Sequence, residues 1–325
     1  MQRILSGLRP TGKVHIGNYF GALKNWVKLQ DEYETFYEIA DWHTLTTKYD
    51  ETENLKERII NTTIDWLSVG IDPKKSVLFV QSDVKEHAEL HLLFSMLITV
   101  PRLERNPTLK EMAKDAGLKG NISYGLLGYP VLQASDVLIY RANRVPVGED
   151  QLPHLELTRE LARRFNSVYD KVFPEVEPIL TEVPRIPGMD GQRMSKSLGN
   201  AIYISDSPDI VEEKVTSAYT DPSKIRKDDP GHPQGCVVFA YLKALEVPDI
   251  KELEKDCKSG GRGCVACKKE TADLLNEFLQ PFRHERHRIE REVDVEEILK
   301  EGAKNAGAEA RKTMELVRQA MKMWG

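Results

Sequence analysis

Residues 2–19 read Gln2-Arg3-Ile4-Leu5-Ser6-Gly7-Leu8-Arg9-Pro10-Thr11-Gly12-Lys13-Val14-His15-Ile16-Gly17-Asn18-Tyr19. Ile4 and Leu5 end a short apolar run, which predicts a buried strand, and a loop with glycines and a proline follows. After the loop, apolar residues recur at the spacing of one helical face, at Tyr19, Phe20, Leu23, Trp26 and Val27. The stretch therefore predicts a strand–loop–helix unit, and the helix start near Gly17 offers backbone N–H groups suited to phosphate.

Part of this stretch also matches a different phosphate-binding loop. Residues 7–13 fit the P-loop pattern Gly-x4-Gly-Lys, but Val14 stands where Ser or Thr would hold Mg²⁺. Pro10 removes a backbone N–H from a loop that works by donating such groups. A P-loop ATPase is therefore disfavoured. The alternative uses residues 15–18, His-Ile-Gly-Asn, where the glycine lets a nucleotide approach and the two polar side chains can donate to phosphate. From this stretch alone, an ordinary turn before a core helix stays open.

The composition of the chain is that of a globular protein. Its 325 residues are 40% hydrophobic and 30% charged, a length that suggests two domains. The net charge of −5 gives no sign of nucleic-acid binding, although a local basic patch is compatible with it. No run of about 18 apolar residues is present, so no membrane span is predicted. The chain starts directly on a strand-like segment, so we expect no signal peptide and a cytoplasmic location.

Strand and helix patterns alternate through the first half of the chain. Further buried strands are predicted at residues 35–40, 77–80 and 144–147, with helical stripes between them. This alternation predicts an α/β fold with a doubly wound parallel sheet, a Rossmann-like nucleotide-binding domain. Such sheets bind ligands beyond the carboxyl ends of their strands. At that edge we expect residues 7–18, 41–43 and 81–83.

The second half of the chain has a different character. Residues 174–199 are rich in proline and glycine and are predicted to form one long loop, and residues 101–125 are predicted to be irregular. Beyond the long loop the pattern is helical. We therefore expect a Rossmann-like catalytic domain over residues 1–195 and an all-helical domain over residues 196–325.

The long loop carries a short basic motif, Arg193-Met194-Ser195-Lys196-Ser197. Two cations flank hydroxyl groups on a segment that can close over a ligand. Arg193 and Lys196 could then neutralise the charge that develops as pyrophosphate leaves a nucleotide. For the pentapeptide alone, a solvated basic loop is the alternative.

The two short motifs are more informative as a pair than separately. Residues 15–18 and 193–197, in this order and separation, resemble the paired signatures of class I aminoacyl-tRNA synthetases. Residues 148–151, Gly-Glu-Asp-Gln, resemble the bacterial tryptophanyl-tRNA synthetases, and the likeness runs along most of the chain. It implies that L-tryptophan attacks the α-phosphate of ATP and that the aminoacyl group then passes to the 3′ end of tRNA(Trp). It also implies a homodimer. We expect positioning and charge stabilisation to carry the rate, without a side-chain nucleophile.

The resemblance implies a set of nucleotide-site residues. The catalytic groups would be Lys196 first, then Arg193, with His15 and Asn18. Mg²⁺ would bridge the phosphates of ATP instead of occupying a dedicated protein cage. The residues implied to contact ATP are Arg9, Pro10, Thr11, Gly17, Asn18, Gly148, Glu149, Asp150, Ile186 and Lys196.

A second set of residues is suited to an amino-acid substrate. Tyr129, Gln133 and Asp136 share one helical face because their spacings are four and three. In the resembled family Asp136 would accept the indole N–H, and Tyr129 and Gln133 would meet the α-ammonium or carboxylate. The rest of this pocket would be Leu5, His43, Val145 and Val147. Tryptophan enzymes carry methionine where this chain has Gln133, and tyrosyl-tRNA synthetases use Tyr, Gln and Asp at this spacing, so tyrosine stays the alternative substrate.

All four cysteines of the chain lie close together in the pattern Cys236-x20-Cys257-x6-Cys264-x2-Cys267. Four thiolates with one close pair indicate a metal site, which can hold zinc or an iron–sulfur cluster. A subset of tryptophanyl enzymes has a very similar quartet that holds a [4Fe–4S] cluster. The resemblance therefore implies that cluster here, with Zn²⁺ and unligated thiols as the alternatives.

Basic residues surround the cysteines and predict a nucleic-acid contact. No acid occurs from residue 258 to residue 269, and a second basic cluster follows at residues 283–288. Because phosphate attracts such patches, we expect the helical domain to grip the tRNA anticodon. A different class of function stays open, an RNA-binding protein with a metal cluster and a vestigial nucleotide site. The positively charged side chains nearest the cysteines are Lys258, Arg262, Lys268 and Lys269.

Overall fold

Parallel strands form the centre of the fold. In this computed structural model, residues 2–115, 117, 121–148, 151–180, 186–196 and 198–324 are described. Within them the strands are β1 (Arg3–Leu8), β2 (Glu34–Ile39), β3 (Ser76–Val80), β4 (Arg144–Val147) and β5 (Glu177–Leu180). They lie in the order β3-β2-β1-β4-β5, and every pair is parallel. The order reverses between β1 and β4, which confirms the predicted doubly wound sheet and locates its ligand edge.

Helices flank the sheet and make up the carboxyl-terminal region. In the part of the chain that the structure describes, they are α1 (Ile16–Asn18), α2 (Lys24–Leu29), α3 (Asp41–Leu45), α4 (Leu55–Ser68), α5 (Glu86–Ser95), α6 (Val100–Glu104), α7 (Pro107–Asp115), α8 (Tyr124–Ile139), α9 (Leu152–Val168), α10 (Pro208–Ser217), α11 (Val237–Ala244), α12 (Ile250–Ser259), α13 (Cys264–Glu292) and α14 (Val295–Ala320). The helical carboxyl-terminal region is therefore confirmed. Among these helices, none is both long and apolar enough to traverse a bilayer.

Each face of the sheet has its own hydrophobic cluster, because successive side chains of a strand point to opposite sides. Ile4 packs in the cluster that includes residues of α4 and α13, whereas Leu5 packs in the cluster with α8, α9 and much of α14. Coverage of both faces explains why consecutive strand residues such as Ile4 and Leu5, or Phe36 and Tyr37, are both apolar and both buried. The two long carboxyl-terminal helices therefore belong to the same core as the sheet.

The predicted loop at residues 174–199 contains a strand that the sequence did not reveal. β5 lies within it and pairs with β4 alone, at the edge of the sheet. Pro178 occupies the second position of this strand. An edge strand tolerates a proline because one row of its backbone groups needs no partner. The proline was therefore a poor reason to predict a loop.

Residues 101–125 were predicted to be irregular, and this was wrong for much of the segment. Helices α6 and α7 occupy residues 100–104 and 107–115. Pro101 lies in the first turn of α6, and Pro107 begins α7. A proline is well tolerated there, since the first N–H groups of a helix have no partner within it. These prolines mark helix starts.

The helix predicted after the first loop is interrupted by a wider turn. Residues 19–23 form a π-helical segment between α1 and α2. The predicted apolar face is nevertheless buried, with Phe20, Leu23 and Trp26 in the core. Such π segments are rare and occur often at functional sites. Helical periodicity alone does not reveal the extra residue in the turn.

Candidate active site

The motif at residues 15–18 forms a reciprocal cap at the carboxyl edge of the sheet. The Asn18 N–H donates to Nδ1 of His15 at 3.1 Å, and the His15 N–H donates to Oδ1 of Asn18 at 3.3 Å. A Cβ at Gly17 would lie 3.0 Å from His15 Nδ1, so this turn is too tight for a larger residue. The cap leaves His15 Nε2 and Asn18 Nδ2 as donors toward a ligand.

The motif at residues 193–196 contacts the loop between β1 and α1, residues 9–15, which is called the first loop below. Lys196 Nζ donates to the carbonyl of Gly12 at 2.8 Å and to Oγ1 of Thr11 at 3.2 Å. Met194 is buried, and its sulfur would lie 3.4 Å from a Cβ on Gly17. The two motifs are far apart in the chain but form one site. Ser197 lies outside the described residues.

Cations accumulate where the two motifs meet. Partial burial lowers the pKa of Lys196 to about 8, with Asp65 raising it and Arg9 lowering it. Desolvation, Lys196 and Arg193 lower the pKa of His15 to about 4, so its imidazole is neutral at pH 7 and Nε2 can carry a proton. Desolvation and Arg193 also lower the pKa of Arg9, whose side chain nonetheless reaches solvent. Crowding of like charges is relieved by an anion, and a polyphosphate fits this need.

Asp65 of α4 holds the first loop in place, and sequence reasoning missed it. Its Oδ2 accepts the Val14 N–H at 2.8 Å, and its Oδ1 accepts from Arg286 of α13. Burial raises the pKa of Asp65 to about 6, against the lowering effects of Arg286 and Val14. Arg286 is itself buried, so this member of the predicted basic cluster cannot meet RNA. The signal that could have identified Asp65 is an acid between Ile64 and Trp66 in an apolar stripe.

Asn200 fixes the backbone of the loop that carries residues 193–196, and the sequence analysis did not identify it. Its Oδ1 accepts the Ser195 N–H at 2.8 Å. Its Nδ2 donates to Oδ1 of Asp190 at 2.8 Å and to the carbonyl of Arg193 at 3.1 Å. One buried amide thereby fixes the backbone on both sides of Met194. An asparagine after a loop glycine gives no specific signal in sequence.

Helix α8 presents the predicted amino-acid site. Tyr129 and Asp136 are buried and Gln133 is half-buried on the same helical face. The hydroxyl of Tyr129 is 3.1 Å from Nε2 of His154, and Nε2 of His43 is 2.7 Å from Oδ2 of Asp136. The structure thus brings the predicted polar residues together. The predicted apolar walls pack in the cluster on the same side of the sheet as α8, namely Leu5, Val145 and Val147.

Asp136 is the centre of a buried polar cluster. Its Oδ1 is 2.6 Å from His87 Nδ1 and accepts from Gln81 Nε2 at 2.9 Å. Burial alone would raise the pKa of Asp136, but hydrogen bonds from His43 and His87 hold it well below its usual range. Glu38 of β2 faces the same carboxylate. Burial first and the charge of Asp136 second raise the pKa of Glu38 well above its usual range, which favours its neutral form.

The other residues predicted to contact ATP differ in where the structure places them. Gly148 follows β4 at the ligand edge, whereas Glu149 and Asp150 lie outside the described residues. Pro10 and Thr11 lie in the loop that Lys196 contacts. Ile186 is buried in the same hydrophobic cluster as Met194.

The four cysteines are brought to one region. Cys236 precedes α11, Cys257 lies in α12, and Cys264 and Cys267 lie in the first turn of α13. Burial raises the pKa values of Cys236 and Cys257, and the neighbouring thiols raise them further. A Cβ on Gly231 would lie 2.7 Å from Cys257 Sγ, so a glycine makes room beside this sulfur. The donor set and this opening fit a thiolate-bound group.

The spacing of the thiols bears on which group they fit. Among the described residues, the only set of three or more potential ligands within 4.8 Å of one another is Glu38, His43 and Asp136. No three cysteine sulfurs of the described residues lie within that distance of one another, whereas four thiolates that share one zinc ion at about 2.3 Å would be roughly 3.8 Å apart.

The predicted basic patch beside the cysteines is partly neutralised. Lys258 pairs with Glu254 at 2.6 Å, and Arg262 pairs with Glu270. Lys268 donates to a backbone carbonyl of α10 at 2.8 Å. The acids lie just outside the acid-free stretch of sequence, at helical spacing or across a turn. The patch is therefore less positive than residues 258–269 alone suggested.

Comparisons with known proteins bear on this site. Residues 1–280 match the family model for tRNA synthetases class I (W and Y). The chain is similar to the tryptophan–tRNA ligase of Thermotoga maritima, with 50% identity over 99% of each chain. It is also similar to the tryptophan–tRNA ligase of Aquifex aeolicus, with 44% identity over 99% of this chain and 100% of the relative. Among solved structures it is similar to the tryptophanyl-tRNA synthetase of Campylobacter jejuni complexed with ADP and tryptophan, with a TM-score of 0.85, 35% identity and coverage of 99% and 100%.

Proposed function

The chain belongs to the class I tRNA synthetases for tryptophan and tyrosine, and we propose that its cleft activates L-tryptophan with ATP and transfers it to tRNA(Trp). The activity is that of a tryptophan–tRNA ligase. The observation that carries it is the union of the two motifs, in which Lys196 contacts the first loop close to the cations Arg9 and Arg193. Tryptophan is preferred over tyrosine as substrate because the full-length relatives are tryptophan enzymes.

The phosphate side of the reaction is assigned to the two motifs. Lys196 and Arg193 stabilise the charge that develops as pyrophosphate leaves, and donors at His15 and Asn18 orient the phosphate oxygens. The carboxylate of tryptophan attacks the α-phosphate, and pyrophosphate departs with the bond electrons. Mg²⁺ bound with ATP supplies further charge neutralisation. His15, Asn18 and Lys196 are already held by hydrogen bonds to the first loop and to each other, so little free energy is needed to reorganise them when ATP binds.

The adenosine and amino-acid sides are assigned to the strand ends beyond β1 and β4. Gly148 lets the adenosine approach the backbone, with Glu149 and Asp150 as its polar partners. Tyr129 and Gln133 meet the α-ammonium and carboxylate of tryptophan, which places that carboxylate toward the motif at residues 15–18. The helical region beyond residue 195 is assigned to tRNA binding, although its two long helices share the core of the catalytic domain.

A [4Fe–4S] cluster at Cys236, Cys257, Cys264 and Cys267 is part of the proposal. The four half-buried thiols and the opening at Gly231 support a thiolate-bound group here, and the resemblance of the cysteine pattern favours the cluster over Zn²⁺. The cluster would hold the starts of α11 and α13 and the end of α12 together. Iron and sulfide should co-purify with the chain under anaerobic conditions and be absent after Cys264→Ser. Stoichiometric zinc with no iron would contradict this assignment.

A homodimer in the cytoplasm completes the proposal. Several large apolar side chains are exposed on or directly after the adjoining helices α5, α6 and α8 and would be covered by a second copy. They are Leu92, Met96, Val100 and Tyr124. The cytoplasmic location follows from the use of tRNA, which serves protein synthesis there.

Charging of a tRNA(Trp) transcript tests the function. Wild-type protein should attach tryptophan and not tyrosine, and Lys196→Ala should lose about 10²–10³-fold in rate, the usual cost of removing one group that stabilises a transition state. Lys74→Ala, on an exposed loop, is the matched control and should keep full activity. RNA binding without charging, with the cysteine site loaded, would favour the RNA-binding alternative.

A further inference from the structure

Residues 200–204, called the connecting segment below, run beside the first loop and the start of α1. The Ile16 N–H donates to the Ile202 carbonyl at 2.9 Å, and the Ile204 N–H donates to the Val14 carbonyl at 3.0 Å. The two strips of backbone pair in antiparallel register, so neither can slide along the other without breaking both bonds. The connecting segment is therefore fixed to the half of the site that contains the first motif.

The residue that begins the connecting segment, Asn200, binds the other motif through its side chain. Its amide oxygen accepts the Ser195 N–H at 2.8 Å. Its amide nitrogen donates to the Arg193 carbonyl at 3.1 Å and to Oδ1 of Asp190 at 2.8 Å. Three of the four hydrogen-bonding positions of the amide are thus used, and the residue is only 4% exposed. Because water cannot take over these bonds in a buried place, losing them is costly.

The turn around this amide is built to receive it. A Cβ on Gly188 would lie 2.2 Å from the amide nitrogen of Asn200 and 2.3 Å from its Cγ, so only a glycine leaves room for the side chain. The Gly188 N–H donates to the Gln192 carbonyl at 2.7 Å, and the Met189 N–H donates to the Asn200 carbonyl at 2.9 Å. The backbone before the second motif is therefore closed around the same residue.

The held backbone groups lie between the two cations of the second motif. Arg193 is held at its carbonyl and Ser195 at its N–H, and the side chain of Met194 between them is buried. Arg193 and Lys196 flank this fixed stretch, so their long side chains begin from fixed points of the backbone. A displacement of about 1 Å can cost about 10²-fold in rate when catalytic groups must be placed accurately.

We propose that Asn200 is a positioning residue for the activation step, which fixes Arg193 and Lys196 at the correct distance from the motif at residues 15–18. This inference rests on the proposed function. Asn200 acts through the two cations and is assigned no contact with a reacting atom. Pyrophosphate departs only when the adenylate forms, so the placement of these cations matters in that step and not in the later transfer to tRNA.

Asn200→Asp separates the two steps. The substitution keeps an acceptor for the Ser195 N–H but turns a carboxylate oxygen toward Asp190 and toward the Arg193 carbonyl, which repel it. In pyrophosphate exchange, kcat should fall about 10–100-fold while KM for tryptophan stays within a few-fold. Transfer to tRNA(Trp) from synthetic tryptophanyl-adenylate should stay close to the wild-type rate. Asn305→Asp makes the same chemical change on the exposed face of α14 and should leave both steps unchanged.

Two double variants test whether Asn200 acts through its assigned partners. Adding Asp190→Asn to Asn200→Asp exchanges donor and acceptor between these two side chains, so part of the lost kcat should return. In a Lys196→Ala background, Asn200→Asp should cost much less than it does alone, because residues that act as a unit are not additive. The same full loss in that background would show that Asn200 does not work through Lys196.

Other outcomes also overturn the inference. Equal slowing of activation and transfer, or a change confined to KM for tryptophan, would assign Asn200 a general structural role. If Asn200→Asp does not fold, Gly188→Ala decides, because its added methyl group pushes the amide out of place and should slow activation alone. A normal activation rate in folded Gly188→Ala would contradict the proposal. Absence of any exchange by the wild type would refute the proposed function instead.

Discussion

Lys196 contacts the first loop, and burial disfavours its charged form. The activity should therefore depend on pH. The protonated form carries the charge that ATP needs, and with a pKa of about 8 it is the main form below that pH. We therefore expect kcat/KM for ATP to fall as the pH rises through about 8, because this ratio reports the free enzyme. Lys196→Arg keeps its charge to much higher pH and should lose this alkaline fall. An identical fall in both proteins would assign the titration to another group.

At the scale of residues, the sequence predicted those parts of the site whose residues lie close together in the chain. The two motifs and the face of α8 are short patterns, so their members could be named in advance. Asp65, Asn200 and Glu38 could not, because their partners are distant in sequence and exist only once the sheet has formed. Each is a polar residue among apolar neighbours or beside a glycine, a pattern that predicts burial but not the partner.

At the scale of elements, the pair of Arg286 and Asp65 joins α13 to α4. Both side chains are buried, so Arg286→Met leaves the Asp65 charge without its main partner. We expect a loss of about 3–5 kcal/mol in the free energy of unfolding, measured with urea. Arg288→Met, in the same helix, removes only solvent-exposed pairs with Glu285 and Glu292 and should cost about 0–1 kcal/mol. Equal small losses would show that this junction does not depend on the buried pair.

Helix α14 approaches the backbone of β3 so closely that only glycine fits at the crossing. A Cβ on Gly302 would lie 1.7 Å from the carbonyl oxygen of Leu78, which cannot move without breaking the sheet. Gly302→Ala should therefore lower stability by at least about 1–3 kcal/mol in thermal or urea unfolding.

Gly307 in the same helix provides the matched control. Its Cβ would meet only the end of the Arg311 side chain, which can swing away. Gly307→Ala should be neutral or gain up to about 1 kcal/mol from helix propensity. The same sign for both substitutions would contradict the close packing of α14 on β3.

Elements with a strong hydrophobic period were predictable, and the elements that were missed have two different causes. Strands β1 to β4 and helix α8 follow from apolar runs or stripes. β5, α6 and α7 were missed because prolines that usually end an element here sit at a sheet edge or in a first helical turn. The π-helical segment at residues 19–23 was missed because one added residue leaves the apolar face intact.

At the scale of the whole molecule, the carboxyl-terminal helices do two things at once. α13 starts at the cysteines and reaches, through Arg286, the residue that holds the first loop. The region proposed to meet tRNA is thus connected to the first loop through the buried side chain of Arg286. The sequence predicted a helical region there, but not that its long helices would complete the core on both faces of the sheet.

The central claim is that the cleft activates tryptophan, and pyrophosphate exchange into ATP tests it most directly. Labelled pyrophosphate should enter ATP when tryptophan is present and not when tyrosine replaces it. Exchange must also vanish without an amino acid, since activation requires a carboxylate to attack the α-phosphate. Exchange supported by tyrosine alone, or by neither amino acid, would contradict the account.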